Sequence, residues 1–216
     1  MQPTDAREQM IEHQVRAWDV LDARVLDTMR RLPRELFVPQ AQRYRAYADV
    51  EVPLARGQQM LRPSVVGRLL QALTPHDGEQ VLEVGAGSGF VTACLRTMAT
   101  QVRSLEVFPE LAEEARRNLA LLGMRDVEVV DADALRGDSG VRYHVIAVTA
   151  SLPAYDARFE RMLTVGGRLF VVVGTAPVME ARLVQRTAED SFATHSLFET
   201  VIDPLVNAAR PPEFSF

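Results

Sequence analysis

The sequence predicts an α/β fold: a mostly parallel sheet with helices on both faces, a C-terminal antiparallel hairpin and an N-terminal helical extension. Three observations predict it. From Gln80 onward, short apolar runs alternate with helix-like stretches, the pattern of strands covered on both faces by crossover helices. The first of these runs ends in Gly85, Gly87 and Gly89, and a helix-like stretch follows at once. The preceding residues show helical periodicity and then a proline-punctuated irregular stretch. The chain therefore divides into an extension with its adjoining loop, residues 1–75, and a core, residues 76–216.

Each element has a local reason. Asp5 followed by Glu8 reads as a capping box that opens a helix burying Met10, Ile11 and Val15. Asp22 is placed to cap a second helix, with Val25, Leu26 and Met29 inward and Pro33 as its stop. Residues 33–60 read as irregular, and Pro63 opens a third helix with Val65, Val66, Leu69, Leu70 and Leu73 on its buried face. Core strands are expected at residues 81–84, 102–106, 127–130, 145–149 and 168–173. Helices are expected at 89–98, 109–122 and 154–163, with Gly123 ending the second of them. Residues 181–187 and 192–202 read as the closing hairpin, and residues 210–216, with Phe214 and Phe216, as a tail docking on the protein's own surface.

Composition narrows the function. The 216 residues are 47% hydrophobic and 25% charged, enough for a full core. A net charge of −5 argues against nucleic acid as a partner. No stretch approaches the roughly 20 apolar residues that span a bilayer, so no membrane partner is expected. The opening residues lack a basic-then-apolar leader pattern, and a cytoplasmic protein is expected. The single cysteine, Cys94, excludes an internal disulfide framework and reads as a small core residue. The four histidines are scattered without ligand spacing, and no metal is expected.

In an open parallel sheet, ligands bind beyond the carboxyl ends of the strands, at the point where strand order reverses. The run Val81-Leu82-Glu83-Val84-Gly85-Ala86-Gly87-Ser88-Gly89 ends there. Its spacing is G-x-G-x-G rather than the G-x-G-x-x-G of dinucleotide sites. Glu83 puts an acid near the strand end, which suits a cationic or hydroxyl-rich ligand better than a diphosphate. Glu106 closes the second strand, 17 residues after Gly89, where an acid accepts hydrogen bonds from both ribose hydroxyls; Val107 follows it. Asp133 and Ala134 follow the third strand, where a short acid meets an adenine amine, and Thr149 and Ala150 close the fourth. Glycine loop and two acids after three successive strands resemble the S-adenosylmethionine site of Rossmann-like class I methyltransferases.

The chain as a whole resembles the protein-L-isoaspartate O-methyltransferase family. Val25-Leu26 followed by Leu32-Pro33-Arg34-Glu35-Leu36-Phe37-Val38-Pro39 is similar to that family's N-terminal segment. Ala46-Tyr47-Ala48-Asp49, then Pro53-Leu54, Gly57-Gln58 and Pro63, are similar to its acceptor-side loop. Val81 to Gly89, Ile146-Ala147-Val148-Thr149-Ala150 and the stretch 163–174 with Gly166-Gly167 continue the likeness through the core. The resemblance implies methyl transfer from S-adenosylmethionine to the α-carboxylate of isoaspartyl residues, with a damaged protein or peptide as partner. In the fold reading, residues 47–63 and the N-terminal helices form a lid over the pocket, with Gly57 giving the loop freedom to close; the alternative is that residues 47–63 merely connect extension to core.

The acceptor side departs from the family pattern. The family loop reads G-Q-T-I-S; here it is Gly57-Gln58-Gln59-Met60-Leu61. Leu61 stands where the family has its active-site serine, Gln59 where it has threonine, and Leu135 where a tryptophan is common. Arg62 is adjacent and could pair with a carboxylate bidentately. The donor residues thus imply the family activity. The altered loop leaves open a methyltransferase of the same fold with another acceptor, or a non-catalytic S-adenosylmethionine-binding protein.

Overall fold

The computed structural model describes residues 3–136 and 140–209. Helix α1 (Pro3–Met10) continues into a π-helical turn, Ile11–Val15, and a 3₁₀ turn, Arg16–Trp18. The helix starts ahead of Asp5, so the expected capping box is absent. Asp5 sits in the first turn, and Glu8 is engaged by Arg30 instead. Helix α2 (Ala23–Arg31) begins as the sequence implies: the Asp22 carboxylate accepts the Arg24 amide at 2.8 Å.

The irregular stretch ends in a small hairpin, β1 (Val52–Pro53) paired antiparallel with β2 (Gln59–Met60). Helix α3 (Pro63–Leu73) follows, with Val65, Val66, Leu69, Leu70 and Leu73 buried. Gly67 on α3 admits Val15 and Val20 so closely that a Cβ there would lie 2.8 Å from a Val15 methyl.

The core consists of β3 (Gln80–Val84), α4 (Phe90–Met98), β4 (Gln101–Glu106), α5 (Pro109–Leu121), β5 (Glu128–Asp131), β6 (Tyr143–Leu152), α6 (Arg158–Arg161), β7 (Leu163–Thr175), β8 (Val178–Ala188) and β9 (Ser191–Glu199). The strand order is β5-β4-β3-β6-β7-β8-β9, parallel from β5 through β7 and antiparallel from β7 to β9. Successive strands leave β3 on one side and then resume at β6 on the other, so the order reverses between β3 and β6. Alternate residues of β3 serve opposite layers. Val81 joins an apolar cluster that runs through α2, α3, α4 and α5, while Leu82 and Val84 join a second one with Ile146, Phe159 and Leu169.

Two expectations are corrected. The helix read over residues 154–163 contracts to α6, because Leu163 is buried as the first residue of β7. Strands β6 and β7 also extend well beyond their apolar centres, to ten and thirteen residues. The reading of residues 210–216 as a docking tail lies outside the described residues. No helix among the described residues is long and apolar enough to cross a membrane.

Arg168 ties the end of α3 to the core and takes part in a largely buried ion pair. Arg168 of β7 meets Glu79 through Nη1–Oε1 at 2.6 Å and Nη2–Oε2 at 2.9 Å. The same guanidinium donates to the Leu73 and Thr74 carbonyls at the end of α3. Removing one partner of a buried pair strands the other charge, at a cost of about 3 kcal/mol. Glu79→Ala is therefore expected to lower the melting temperature by roughly 6–12 °C. A shift under 2 °C in a thermal melt would contradict this role for the pair.

Candidate active site

A cleft of about 730 Å³ opens over the carboxyl ends of β3, β4, β5 and β6. Gly85 turns the chain out of β3 at φ +95°, a conformation that disfavours any side chain. A Cβ there would also lie 2.5 Å from the Thr149 hydroxyl, which donates to the Gly85 carbonyl at 2.6 Å and the Val84 carbonyl at 2.9 Å. Gly85, Gly87 and Thr149 line the cleft together with Ala150. Gly89 does not line it. It caps α4 and allows α5 to approach, since a Cβ on it would meet Ala115 backbone at 3.2 Å.

The Glu106 carboxylate sits at the rim, 5% exposed, with each oxygen anchored: Oε2 accepts the Gly87 amide at 2.9 Å and Oε1 the Phe108 amide at 3.1 Å. An ionised carboxylate has about four acceptor sites, so two remain for a ligand. Val107, Asp133 and Ala134 complete this side. Asp133 accepts the Leu135 amide on Oδ1 and the Asn207 side-chain amide on Oδ2, both at 2.9 Å.

Glu83 differs from the sequence expectation. Its side chain is 0% exposed and lines neither the cleft nor the pocket behind it. The Thr92 and Ser104 hydroxyls both donate to its Oε2 beneath the loop. Burial pushes its pKa up to about 8, against the pull of those two hydroxyls. The sign for stability follows. Between about pH 4.5 and 8 the unfolded chain loses this proton and the folded one keeps it, so the group's contribution declines as pH rises. Glu83→Gln is expected to melt near the unmutated protein at pH 5 and about 4–8 °C higher at pH 8. An identical difference at both pH values would rule out the titration.

Behind the glycine loop lies a second pocket of about 320 Å³, to which Ala86 and Ser88 belong. Gln59, Met60, Leu61, Gly85, Gly87 and Thr149 line both cavities, so the two lie side by side. Leu61 is 8% exposed and brings an apolar side chain where the two meet. Gln59 is exposed, and its amide donates to Asp203 at 3.0 Å. Arg62 lines neither cavity. Its guanidinium lies over the Trp18 ring at 5.2 Å, and Nη2 donates to the Thr200 hydroxyl at 2.8 Å. Pairing of Arg62 with a carboxylate in the cleft is not supported by this placement.

The sequence reading missed one wall. Ile202, Asp203, Leu205 and Val206 face the cleft, as does Glu51. Backbone bonds hold this segment to β6: Ser151 N donates to Asp203 O at 2.9 Å and Leu205 N to Ser151 O at 2.8 Å. Such pairing leaves no side-chain pattern to read. Cys94 is fully buried in the core, and burial pushes its thiol pKa up. Among the described residues no group of three or more His, Cys, Asp or Glu side chains could hold a metal ion.

A dinucleotide site keeps loop amides free for a diphosphate. Here the Gly87 amide is already bonded to a carboxylate, a negative group that repels phosphate. That trait, on a seven-stranded sheet of this order, places the chain among the Rossmann-like class I methyltransferases. A family model described as protein-L-isoaspartate(D-aspartate) O-methyltransferase (PCMT) matches residues 5–210. A protein-L-isoaspartate O-methyltransferase of Aeropyrum pernix is 39% identical over 207 residues, covering 94% of this chain and 80% of that one. Protein-L-isoaspartate O-methyltransferase 2 of Marinobacter nauticus is 37% identical, covering 94% of each. In three dimensions, a Plasmodium falciparum protein of this description, solved with S-adenosyl-L-homocysteine, superposes with a TM-score of 0.78 at 18% identity, over 92% of this chain and 97% of that one. This likeness supports the fold. The chain belongs to the protein-L-isoaspartate(D-aspartate) O-methyltransferase family.

Proposed function

We propose that this protein transfers a methyl group from S-adenosylmethionine to the α-carboxylate of L-isoaspartyl residues in damaged proteins. The carrying observation is the shared lining of the two cavities: the loop the family uses for its acceptor and the glycine loop both line each of them. The donor fits the residues present. Glu106 offers two acceptor sites to ribose hydroxyls, and Asp133 lies where an adenine amine would be met. When bound, S-adenosylmethionine supplies a methyl group on a sulfonium.

The rest falls to the chain. A carboxylate is already nucleophilic at neutral pH, so no general base is required. Orientation at about 3 Å and exclusion of water supply much of the rate. The Gln59 amide holds one N–H on Asp203 and has a second for the acceptor carboxylate. Leu61, apolar and buried, excludes water at the junction.

A second reading, transfer to a different acceptor, is favoured by one observation: the side chain at that junction donates no hydrogen bond. Methyl transfer from labelled S-adenosylmethionine to an isoaspartyl peptide, with its normal aspartyl counterpart as control, separates the readings. Turnover confined to the isoaspartyl peptide supports the first. Tight donor binding without turnover moves the reading to another acceptor, and absent donor binding removes both.

A further inference from the structure

Arg34 lies on a 3₁₀ turn just after α2, yet it is 1% exposed. Two of its nitrogens hold backbone: Nε donates to the Ala46 carbonyl at 3.0 Å and Nη2 to the Leu61 carbonyl at 2.8 Å. The third, Nη1, is buried with no partner. The Phe90 ring lies 4.7 Å from the guanidinium carbon. The neighbouring acid, Asp49, attracts the guanidinium but turns its carboxylate to the Ser64 amide at 2.9 Å, and among the described residues no salt bridge within 4 Å involves Arg34. Burial lowers the guanidinium pKa to about 10, so it is still a cation at neutral pH.

A buried cation without a counter-ion in contact is unfavourable, and a buried donor without an acceptor adds to the cost. Arg34 and Phe90 line the inner pocket with Leu61 and Ser88. The nine-residue helix α4 starts at Phe90 and directs its positive end to the same place. We propose that the inner pocket is a carboxylate subsite and that Arg34 Nη1 is its charged donor. The inference rests on the methyltransferase reading, in which two ligands carry a carboxylate: the amino-acid end of the donor and the α-carboxylate of the acceptor.

Calorimetry with two ligand pairs tests it. One pair is S-adenosylhomocysteine and its decarboxylated analogue; the other is an isoaspartyl peptide and its α-carboxamide. In the unmutated protein the carboxylate-bearing member of one pair is expected to bind about 10- to 100-fold tighter. Arg34→Gln, which keeps a donor but no charge, is expected to close that gap. Where the glutamine variant does not fold, Arg34→Lys, which keeps the charge but moves it, must still shrink the gap. The pair that responds identifies the source of the carboxylate. Equal binding within both pairs, or a gap that survives substitution, overturns the subsite. A protein that binds neither member of the first pair fails the methyltransferase reading instead.

Discussion

Replacing Glu106 by alanine is expected to weaken S-adenosylhomocysteine binding by 100-fold or more, with no comparable rise in KM for the peptide. The carboxylate supports the loop and faces the cleft at once. One oxygen holds the Gly87 amide and the other the Phe108 amide, just ahead of α5. In the proposed function its remaining acceptor sites would take the ligand's hydroxyls. Hydrogen bonds to a charged group contribute roughly 1.5–3 kcal/mol each, so losing two of them amounts to about 10²–10⁴ in affinity. Alanine also strands two amides, so a melting drop of a few degrees accompanies the loss. Glu106→Gln keeps one acceptor oxygen and is expected to fall between alanine and the unmutated protein. A folded alanine variant that binds S-adenosylhomocysteine within threefold of the unmutated protein would remove Glu106 from the donor site.

The succession of core strands along the chain is legible because each is an apolar run closed by a turn signal. Where tertiary pairing decided a boundary, local pattern failed. Leu163 looks like the last apolar residue of a helix, yet it is the first residue of a strand paired with Tyr143. At the site, residues on regular elements were legible. Glu106 closes β4 and Thr149 lies near the end of β6, and their position follows from strand direction. Glu83 misled for a related reason. A strand alternates its faces, and the acid next to the glycine loop points below the sheet end, where Thr92 and Ser104 receive it. Arg34 was invisible as a site residue, because a charged residue after a proline reads as surface. Its burial depends on the Ala46 and Leu61 carbonyls, 12 and 27 residues away.

Leu61→Ser is expected to raise kcat/KM for an isoaspartyl peptide by about tenfold while lowering stability. The two effects have separate causes. Leu61 is 8% exposed and packs in the main apolar cluster, and removing a buried leucine side chain costs about 2–5 kcal/mol. A melting drop of roughly 5–10 °C follows. The rate effect comes from the hydroxyl. Residue 61 borders both cavities, so a serine there places a donor in the space where glycine loop and acceptor loop meet. One hydrogen bond to a carboxylate contributes at least 1.5 kcal/mol, a factor of ten or more when it tightens in the transition state. Its carbonyl remains on Arg34, since that bond uses backbone and not the replaced side chain. Leu61→Ala separates the two causes: it creates the same cavity without the hydroxyl, so it shares the melting drop and lacks the gain. If serine and alanine lower stability alike and neither raises turnover, the acceptor carboxylate lies elsewhere, and the apolar junction has been shaped for a different acceptor.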